Sequence, residues 1–434
     1  MNCRDLIHSL TEGQLDASFA ARCGIPARNT EIQRQRAVRC ADLFISRYDA
    51  DAARDVMLLS VGGRSEISGN HTDHNFGRVI AASVSLDVLA VASPRGDGVV
   101  RVCSEGFPED TVPPTDIAEP NAAYYFKSRA IIAGMERAFL NAGYKIGGFD
   151  ATTVSNVLKG SGLSSSAAFE VMIGNILNHL YNEGRVSNVE IAKMAQYAEN
   201  VYFGKPCGLM DQTACAVGGF ITIDFADPAD PVIEKLDFDL SGAGFALCIT
   251  DTGGNHADLN EDYASVPAEM KSVAAALGEK VLRPLTREDI VKNIPALRKT
   301  CGDRAILRAM HFLSENERVD AQVDALRRGD VDGFFAGVLA SGASSFRYLQ
   351  NVYTTKNVGE QGLSLALCLT ESYLTEKCGK SCAWRVHGGG FAGTIQAFVP
   401  TEAAADYARF MEGVFGEGSV YILQIRPEGA IRLA

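Results

Sequence analysis

Lys159-Gly-Ser-Gly-Leu-Ser-Ser-Ser-Ala-Ala168 is the stretch on which the reading of this chain turns. A strand-like run, Phe149 to Val157, leads into it, and behind it Phe169, Met172, Ile173, Ile176 and Leu180 recur at helical spacing to about Tyr181. Glycines let a backbone approach an anion closely, and the first turn of the following helix offers free N–H groups and a positive dipole end. A triphosphate suits such a loop. The Gly-Lys-[Ser/Thr] ending of a Walker loop is missing, as is the dinucleotide spacing, so neither of those folds is implied. A flexible turn that merely caps a helix is the plain alternative, but three serines followed by two alanines point to something lying close by.

Downstream, Ser187 and Glu190 form a capping-box pattern that starts a helix to about Tyr202. Its apolar stripe is Ile191, Ala195, Ala198 and Tyr202, with Glu199 on the edge. A carboxylate there either reaches solvent or needs a cation or metal. Twelve residues on, Asp211 lies in Cys207-Gly-Leu-Met-Asp-Gln212, ahead of a short segment, Thr213 to Ala216, whose free amides would hold the carboxylate ionised. An aspartate that only caps a helix is the alternative. Two acids and a phosphate loop together suggest magnesium and a base.

Upstream, a strand at Val56 to Val61 is followed by Gly62-Gly-Arg-Ser-Glu-Ile-Ser-Gly-Asn-His-Thr-Asp-His-Asn-Phe-Gly77. The pattern predicts a Gly-rich turn dense in donors and acceptors, which suits recognition of a polyol, where each hydroxyl needs a directional partner. A solvated surface loop is the alternative. A metallohydrolase His-x-His-x-Asp-His pattern is disfavoured by Gly69, which stands where the first His belongs.

Elsewhere the periodicity alternates between strand and helix, giving an α+β or α/β protein. Helix is expected at 31–47 and 123–141, strand at 79–92, 99–103, 220–225 and 245–250, a mostly helical region from Ala257 to Gln361, and β structure again at 383–399 and 419–425. The best single cut falls near 235, giving an N-terminal domain 1–235 and a C-terminal domain 236–434. With 434 residues, 47% hydrophobic and 22% charged, the chain has an ordinary globular balance. Its formal charge of −12 argues against a nucleic-acid partner, no apolar stretch is long enough to span a membrane, and no secretion signal is evident, so a cytoplasmic protein is expected. The eleven cysteines are dispersed with no C-x-x-C pair and are expected to be reduced core thiols. Oligomeric state is not legible.

Taken together, three segments resemble the galactokinase family, within the kinase superfamily that includes homoserine, mevalonate and phosphomevalonate kinases. Gly63 to Gly77 is similar to the family's sugar signature, Gly160 to Ala168 to its phosphate-loop motif, and Gly388-Gly-Gly-Phe-Ala-Gly393 to its late glycine motif. Pro206 to Gln212 is similar to the catalytic-aspartate segment, and weaker likeness at His256 to Tyr263 and His311 to Arg318 extends coverage from about residue 56 to 400. The resemblance implies a two-domain α+β small-molecule kinase fold with the site in the cleft between domains. It implies ATP-dependent phosphorylation of the anomeric hydroxyl of galactose to galactose 1-phosphate, with Mg2+. Asp211 would be the base and Arg64 the cation that orients it. Gly160, Ser161, Gly162, Leu163, Ser164, Ser165 and Ser166 would cradle the ATP phosphates, Ser166 and Glu199 would hold magnesium, and Asn70, His71, Asp73 and Tyr263 would face the sugar. The expected partners are thus a small sugar and ATP.

The chain departs from the pattern at Asn70, where the family has Glu, expected to bind the C6 hydroxyl. Asn70 still binds hydroxyls yet no longer repels a carboxylate, so a C6-modified sugar such as galacturonate is an alternative substrate. Ala392 also replaces a usual Gly. A non-catalytic sugar sensor of the same build is disfavoured, because the Ser-Ala pair such a protein lacks is present at Ser166-Ala167.

Overall fold

In the computed structural model, residues 1–157, 162–205, 207–254, 259–378 and 381–434 are described. Strands β1 (Met57–Ser68) and β2 (Arg78–Pro94) form the antiparallel centre of an eight-stranded sheet. β2 is long enough to serve two neighbours in succession. Its first part, Arg78–Ala82, pairs with β6 (Phe220–Asp224), and its last part, Val88–Pro94, pairs with β5 (Phe149–Ser155). β3 (Val100–Ser104) runs parallel to β5, β4 (Asp110–Val112) pairs with β3, and β7 (Val232–Leu236) pairs with β6. The free side of β1 takes β12 (Ala430–Arg432), so the end of the chain returns to the first sheet.

Both faces of this sheet are covered, which is why its strands are apolar along their length rather than alternating. Helices α1 (Cys3–Thr11), α2 (Asp16–Cys23) and α3 (Thr30–Tyr48) lay Leu6, Leu10, Phe19 and Phe44 over Leu58, Leu89, Val91 and Val154. Residues one step along the pleat, Leu59, Val61 and Ala90, face the opposite way into the core built by α4 (Ser128–Asn141), α5 (Ser165–Tyr181), α6 (Asn188–Tyr197) and α7 (Met210–Val217). The capping box at the start of α6 is formed, with Glu190 N donating to Ser187 Oγ at 3.2 Å and Ser187 N donating to Glu190 Oε2 at 3.0 Å.

A second, four-stranded antiparallel sheet has the order β11 (Val420–Leu423), β8 (Phe245–Asp251), β10 (Thr394–Pro400), β9 (Ala383–Val386). Helices α8 (Asn260–Ala276), α9 (Arg287–Thr300) and α10 (Asp303–Arg327) form a block with its own core around Met270, Leu297 and Phe312. α11 (Val331–Ser344) brings Phe334 and Phe335 against Phe398 and Phe245, joining this sheet to the first core. α12 (Gly362–Lys377) and α13 (Ala404–Phe415) cover the other side through Leu363, Leu374, Tyr407 and Met411. No described helix is long and apolar enough to cross a membrane.

One expectation needs correction and another refinement. Strand β1 does not stop at Val61 but continues through the polar run to Ser68. The run stays extended because β2 pairs with one side, while Gln396 Nε2 and Arg385 Nη1 from the second sheet satisfy the carbonyls of Glu66 and Ile67. The helix expected to reach Tyr202 does run that far, but after Tyr197 it widens into a π-helix, Ala198–Phe203, which holds Glu199.

A buried charge cluster ties the N-terminal helices and the returning C-terminus to β2. Asp87, wholly buried, receives Arg36 at 2.6 Å, Ser60 Oγ at 2.6 Å, Gln33 Nε2 at 2.8 Å and Arg426 at 3.4 Å. Burial alone raises the Asp87 carboxyl, but the charges of Arg36 and Arg426 outweigh it and hold the group below its ordinary value. Asp87→Ala is expected to cost about 3–5 kcal/mol in denaturant unfolding, because two arginines are left buried without their anion. With a depressed native value, this contribution is present above roughly pH 4 and lost as pH falls through the native titration. The gap between parent and variant should therefore narrow on acidification.

Candidate active site

Arg64 sits on β1 at a bulge between Gly62 and Arg64, where the strand leaves regular register. Its guanidinium grips Asp211 with two bonds, Nε to Oδ1 at 2.7 Å and Nη2 to Oδ2 at 2.6 Å. Asp211 projects from the first turn of α7, and Ser164 Oγ also donates to Oδ2. Its side chain keeps 33% exposure, against 10% for Arg64, so the carboxylate is held from behind and open in front. Burial pushes the Asp211 carboxyl up, yet the charge and hydrogen bonds of Arg64 with the Ser164 hydroxyl outweigh it and keep the group low. Asp211 is thus ionised and oriented by side chains, and the helix that carries it has no side-chain cap bond.

The same arginine holds the serine loop. Arg64 N donates to Leu163 O at 3.1 Å, and Arg64 Nη1 donates to Gly162 O. Gly162 has φ +73, and a Cβ there would lie 3.2 Å from the ring of His387. That ring is fixed beneath the loop between Ser65 Oγ at 3.0 Å and Thr394 Oγ1 at 2.9 Å, and burial then Arg64 push its titration down to about 3, so it is neutral. Ser164 takes left-handed backbone, φ +56, and α5 starts at Ser165 with Ser166 exposed on its first turn. Gly160 and Ser161 lie outside the described residues.

One turn along α5 from Ser166 stands Glu170, wholly buried. Gln212 Nε2 bridges it to Glu199, donating to Glu170 Oε2 at 3.0 Å and to Glu199 Oε2 at 2.8 Å. Lys205 Nζ reaches Glu199 Oε1 at 3.0 Å. Glu199 is 2% exposed, so it does not reach out to solvent. Burial and then the charge of Glu199 push the Glu170 carboxyl well above its ordinary value.

On the other side, the loop after β1 meets the late glycine motif. Three consecutive carbonyls of that motif are taken in turn: Gly388 O by Asn70 Nδ2 at 2.8 Å, Gly389 O by His71 Nε2 at 2.9 Å and Gly390 O by the Tyr263 hydroxyl at 2.7 Å. Burial pushes His71 down to about 4, so it stays neutral and donates. Asn70 is wholly buried, and its amide is saturated by Glu66 Oε1 at 2.9 Å, Gly388 O, Asn351 Nδ2 at 2.8 Å and Ser345 Oγ at 3.2 Å. Asp73, part-buried, lies across from Gly208, where a Cβ would come 2.9 Å from its Oδ2.

Arg64, Asp211 and Gly162 to Ser166 therefore meet on one side, and Asn70, His71 and Tyr263 meet at the late glycines. Asp73 lies beside Gly208, three residues before Asp211. Sequence reasoning missed Glu66, Glu170, Lys205, Gln212, Asn351 and His387. Gln212 adjoins Asp211 and His387 adjoins the glycine motif, so neighbourhood was a usable signal for those two. Lys205 and Asn351 carry no pattern, because their partners come from other parts of the chain. Among the described residues no cluster of three or more His, Cys, Asp or Glu could hold a metal by itself.

Residues 128–219 match the family model for the GHMP kinases N terminal domain, and residues 42–94 match the galactokinase galactose-binding signature. The chain is 32% identical over 349 residues to galactokinase of Streptomyces coelicolor, covering 79% of this chain and 84% of that protein. It is 29% identical over 393 residues to galactokinase of Homo sapiens, covering 87% and 92%. Among solved structures, Lactococcus lactis galactokinase complexed with galactose aligns with a TM-score of 0.73 at 24% identity, covering 90% of this chain and 98% of that one. A mevalonate kinase aligns at 0.60 and 12% identity, covering 86% and 100%. These two structures share the fold.

The glycine motif owes its three aligned carbonyls to backbone that only glycine adopts cheaply. Gly390 has φ +80, and a Cβ there would sit 2.0 Å from Asn351 O. Gly390→Ala is expected to lose about 1–3 kcal/mol in chemical denaturation. The control is Gly413→Ala on α13, where a Cβ meets nothing within 4 Å, and it should not be destabilised.

Proposed function

The chain belongs to the galactokinase family, and on that basis we propose that it transfers the γ-phosphoryl group of ATP to the anomeric hydroxyl of galactose, giving galactose 1-phosphate. The observation that carries the reading is the Arg64–Asp211 pair, because Arg64 also binds Gly162 O and Ser164 binds the same carboxylate. The group that receives the acceptor hydroxyl and the loop that receives the phosphates are thereby one rigid unit.

Phosphoryl transfer asks the protein mainly to position an in-line nucleophile and to neutralise charge. In this reading the working unit is two lobes, 1–235 and 236–434, with β12 of the second reaching back into the sheet of the first and the sugar between them. The open face of Asp211 accepts the hydrogen bond of the anomeric hydroxyl and aims the oxygen at the γ-phosphorus. A carboxylate kept low by Arg64 is a weak base, so it takes the proton late, once the bond to phosphorus has made the hydroxyl acidic. Arg64 then loses little, since it also faces the phosphate loop and the charge developing there. His71, Asp73 and Tyr263 line the sugar side, and Asn70 supports it from behind. The first turn of α5, with Ser164, Ser165 and Ser166, faces the phosphates, and Gly160 and Ser161 complete the loop in sequence.

The donor set also suits magnesium. Glu199 is a buried carboxylate that already holds an ammonium cation, from Lys205, and Ser166 is exposed at the start of α5. One carboxylate and one hydroxyl, with phosphates and water completing the shell, is a donor set that Mg2+ accepts. Ser166 and Glu199 would hold the ion, whose charge would offset that of the nucleotide phosphates. Gln212 and Lys205 fix the orientation of Glu199.

Asp211→Asn should lower kcat with galactose by about 10²–10⁴-fold, with an unchanged circular-dichroism spectrum. Near-parental turnover would overturn the assignment. Glu199→Gln should weaken Mn2+ binding in the presence of ATP, read by electron paramagnetic resonance, and raise the apparent KM for Mg-ATP. An unchanged Mn2+ affinity would remove Glu199 from the metal site.

A further inference from the structure

Two residues beyond Arg64 on β1 stands a carboxylate that the mechanism above does not use. The register there is regular, with Arg64 opposite Ser83, Ser65 opposite Ala82 and Glu66 opposite Ala81, so Arg64 and Glu66 project from the same face of the strand. The two positions are separated by roughly 6.5–7 Å along the strand, about the length of a hexose ring with its substituents. One oxygen of Glu66 is committed: Oε1 accepts from Asn70 Nδ2 at 2.9 Å and from Arg385 Nη2 at 3.3 Å. The other is not. Among the described residues nothing donates to Oε2, and that atom is not sealed from solvent. The Glu66 side chain keeps 10% exposure while Arg385 behind it has none. Burial pushes the Glu66 carboxyl above its ordinary value, with Arg385, the Asn70 amide and Arg64 acting against it. The Asn70 amide that it accepts also binds Gly388 O, which sets Glu66 beside the late-glycine group.

A carboxylate enclosed this far, with one oxygen left unbonded, incurs an unfavourable desolvation cost that a donor from a ligand would relieve. We propose that Glu66 is a sugar-binding residue: Oε2 accepts a hydrogen bond from a galactose hydroxyl distant from the anomeric centre, and its charge selects against sugars bearing a carboxylate there. This rests on the galactokinase reading and specifies its substrate pocket. It also changes what Asn70 means. A neutral residue at 70 suggests a pocket tolerant of an acidic sugar, but Asn70 has its amide turned toward Glu66, so the acidic group is present and is carried by the strand. Arg385 does not reverse this, because it is wholly buried and its Nη1 is bound to Ile67 O at 3.1 Å. A sugar carboxylate entering the pocket meets the open oxygen of Glu66 before it meets any cation behind it.

The test is a cycle between residue and substrate. Parent and Glu66→Gln are compared on galactose, 4-deoxygalactose, 6-deoxygalactose and galacturonate, with KM for ATP measured in parallel. Glutamine retains an oxygen for Asn70 but takes the anion from the buried Arg385, so a purely structural role predicts lost stability in denaturant unfolding and no change in KM confined to the sugar. The proposal expects KM for galactose to rise about 10–100-fold, the range of one hydrogen bond to a charged group, with KM for ATP unchanged. It further expects one deoxygalactose to lose comparably in the parent but little more in the variant, and the ratio of galacturonate to galactose kcat/KM to rise. Parental KM for galactose in a folded Glu66→Gln, or losses that simply add, would overturn it. If Glu66→Gln does not fold, Glu66→Asp and the parent decide: a parent that accepts both deoxygalactoses and galacturonate as well as galactose overturns the proposal. A parent inactive on galactose counts instead against the galactokinase reading itself.

Discussion

The grip of Arg64 on Asp211 is the contact on which the rest of the site depends. A guanidinium presents donors in a fixed fork, so a bidentate bond sets both the position and the plane of the carboxylate. Arg64 has a nitrogen to spare for Gly162 O, and its backbone N–H takes Leu163 O. Strand β1, the serine loop and helix α7 are thereby locked by one residue. The bulge between Gly62 and Arg64 belongs to the same arrangement. A Cβ at Gly63 would press on Leu163 O at 2.9 Å, so the close approach of loop to strand requires glycine there.

The protein handles its buried carboxylates in distinct ways, and the neighbours decide which. Asp87 is surrounded by two arginines and two neutral donors and serves the fold alone. Asp211 has a strong cation on one side and open space on the other, which leaves it ionised and available. Glu199 shares a glutamine with Glu170 and leans on a half-exposed lysine. Glu66 keeps one oxygen satisfied and one open. An overall charge of −12 does not decide against a small polyanion, because binding one depends on local donors such as the free N–H groups at the start of α5 rather than on net charge.

Much of the element order is legible in the sequence because periodicity reports burial directly. The helix behind the serine loop and the capping box at Ser187 are read correctly, since both rest on short-range patterns. β1 is misread beyond Val61 because its polar continuation takes partners from β9 and β10, more than three hundred residues away. The three N-terminal helices receive no role from sequence, yet they cover one face of the large sheet at β1, β2 and β5. At the site, Arg64 with Asp211 follow from motif resemblance, whereas Lys205, Gln212 and Asn351 have no local signature.

The sequence by itself determined the chemistry on offer: a glycine–serine loop for an anion, acids spaced around it, and a donor-rich signature for a polyol. Those are properties of residue type and short spacing, which the chain carries wherever it folds. Which carboxylate stands free was decided only by tertiary structure. Asn70 reads as the residue that meets the substrate, but the fold buries it and saturates its amide, leaving the open oxygen to Glu66 on the strand below. Hydrogen-bond capacity is finite, so a side chain's function depends on how much of that capacity its distant neighbours have already used.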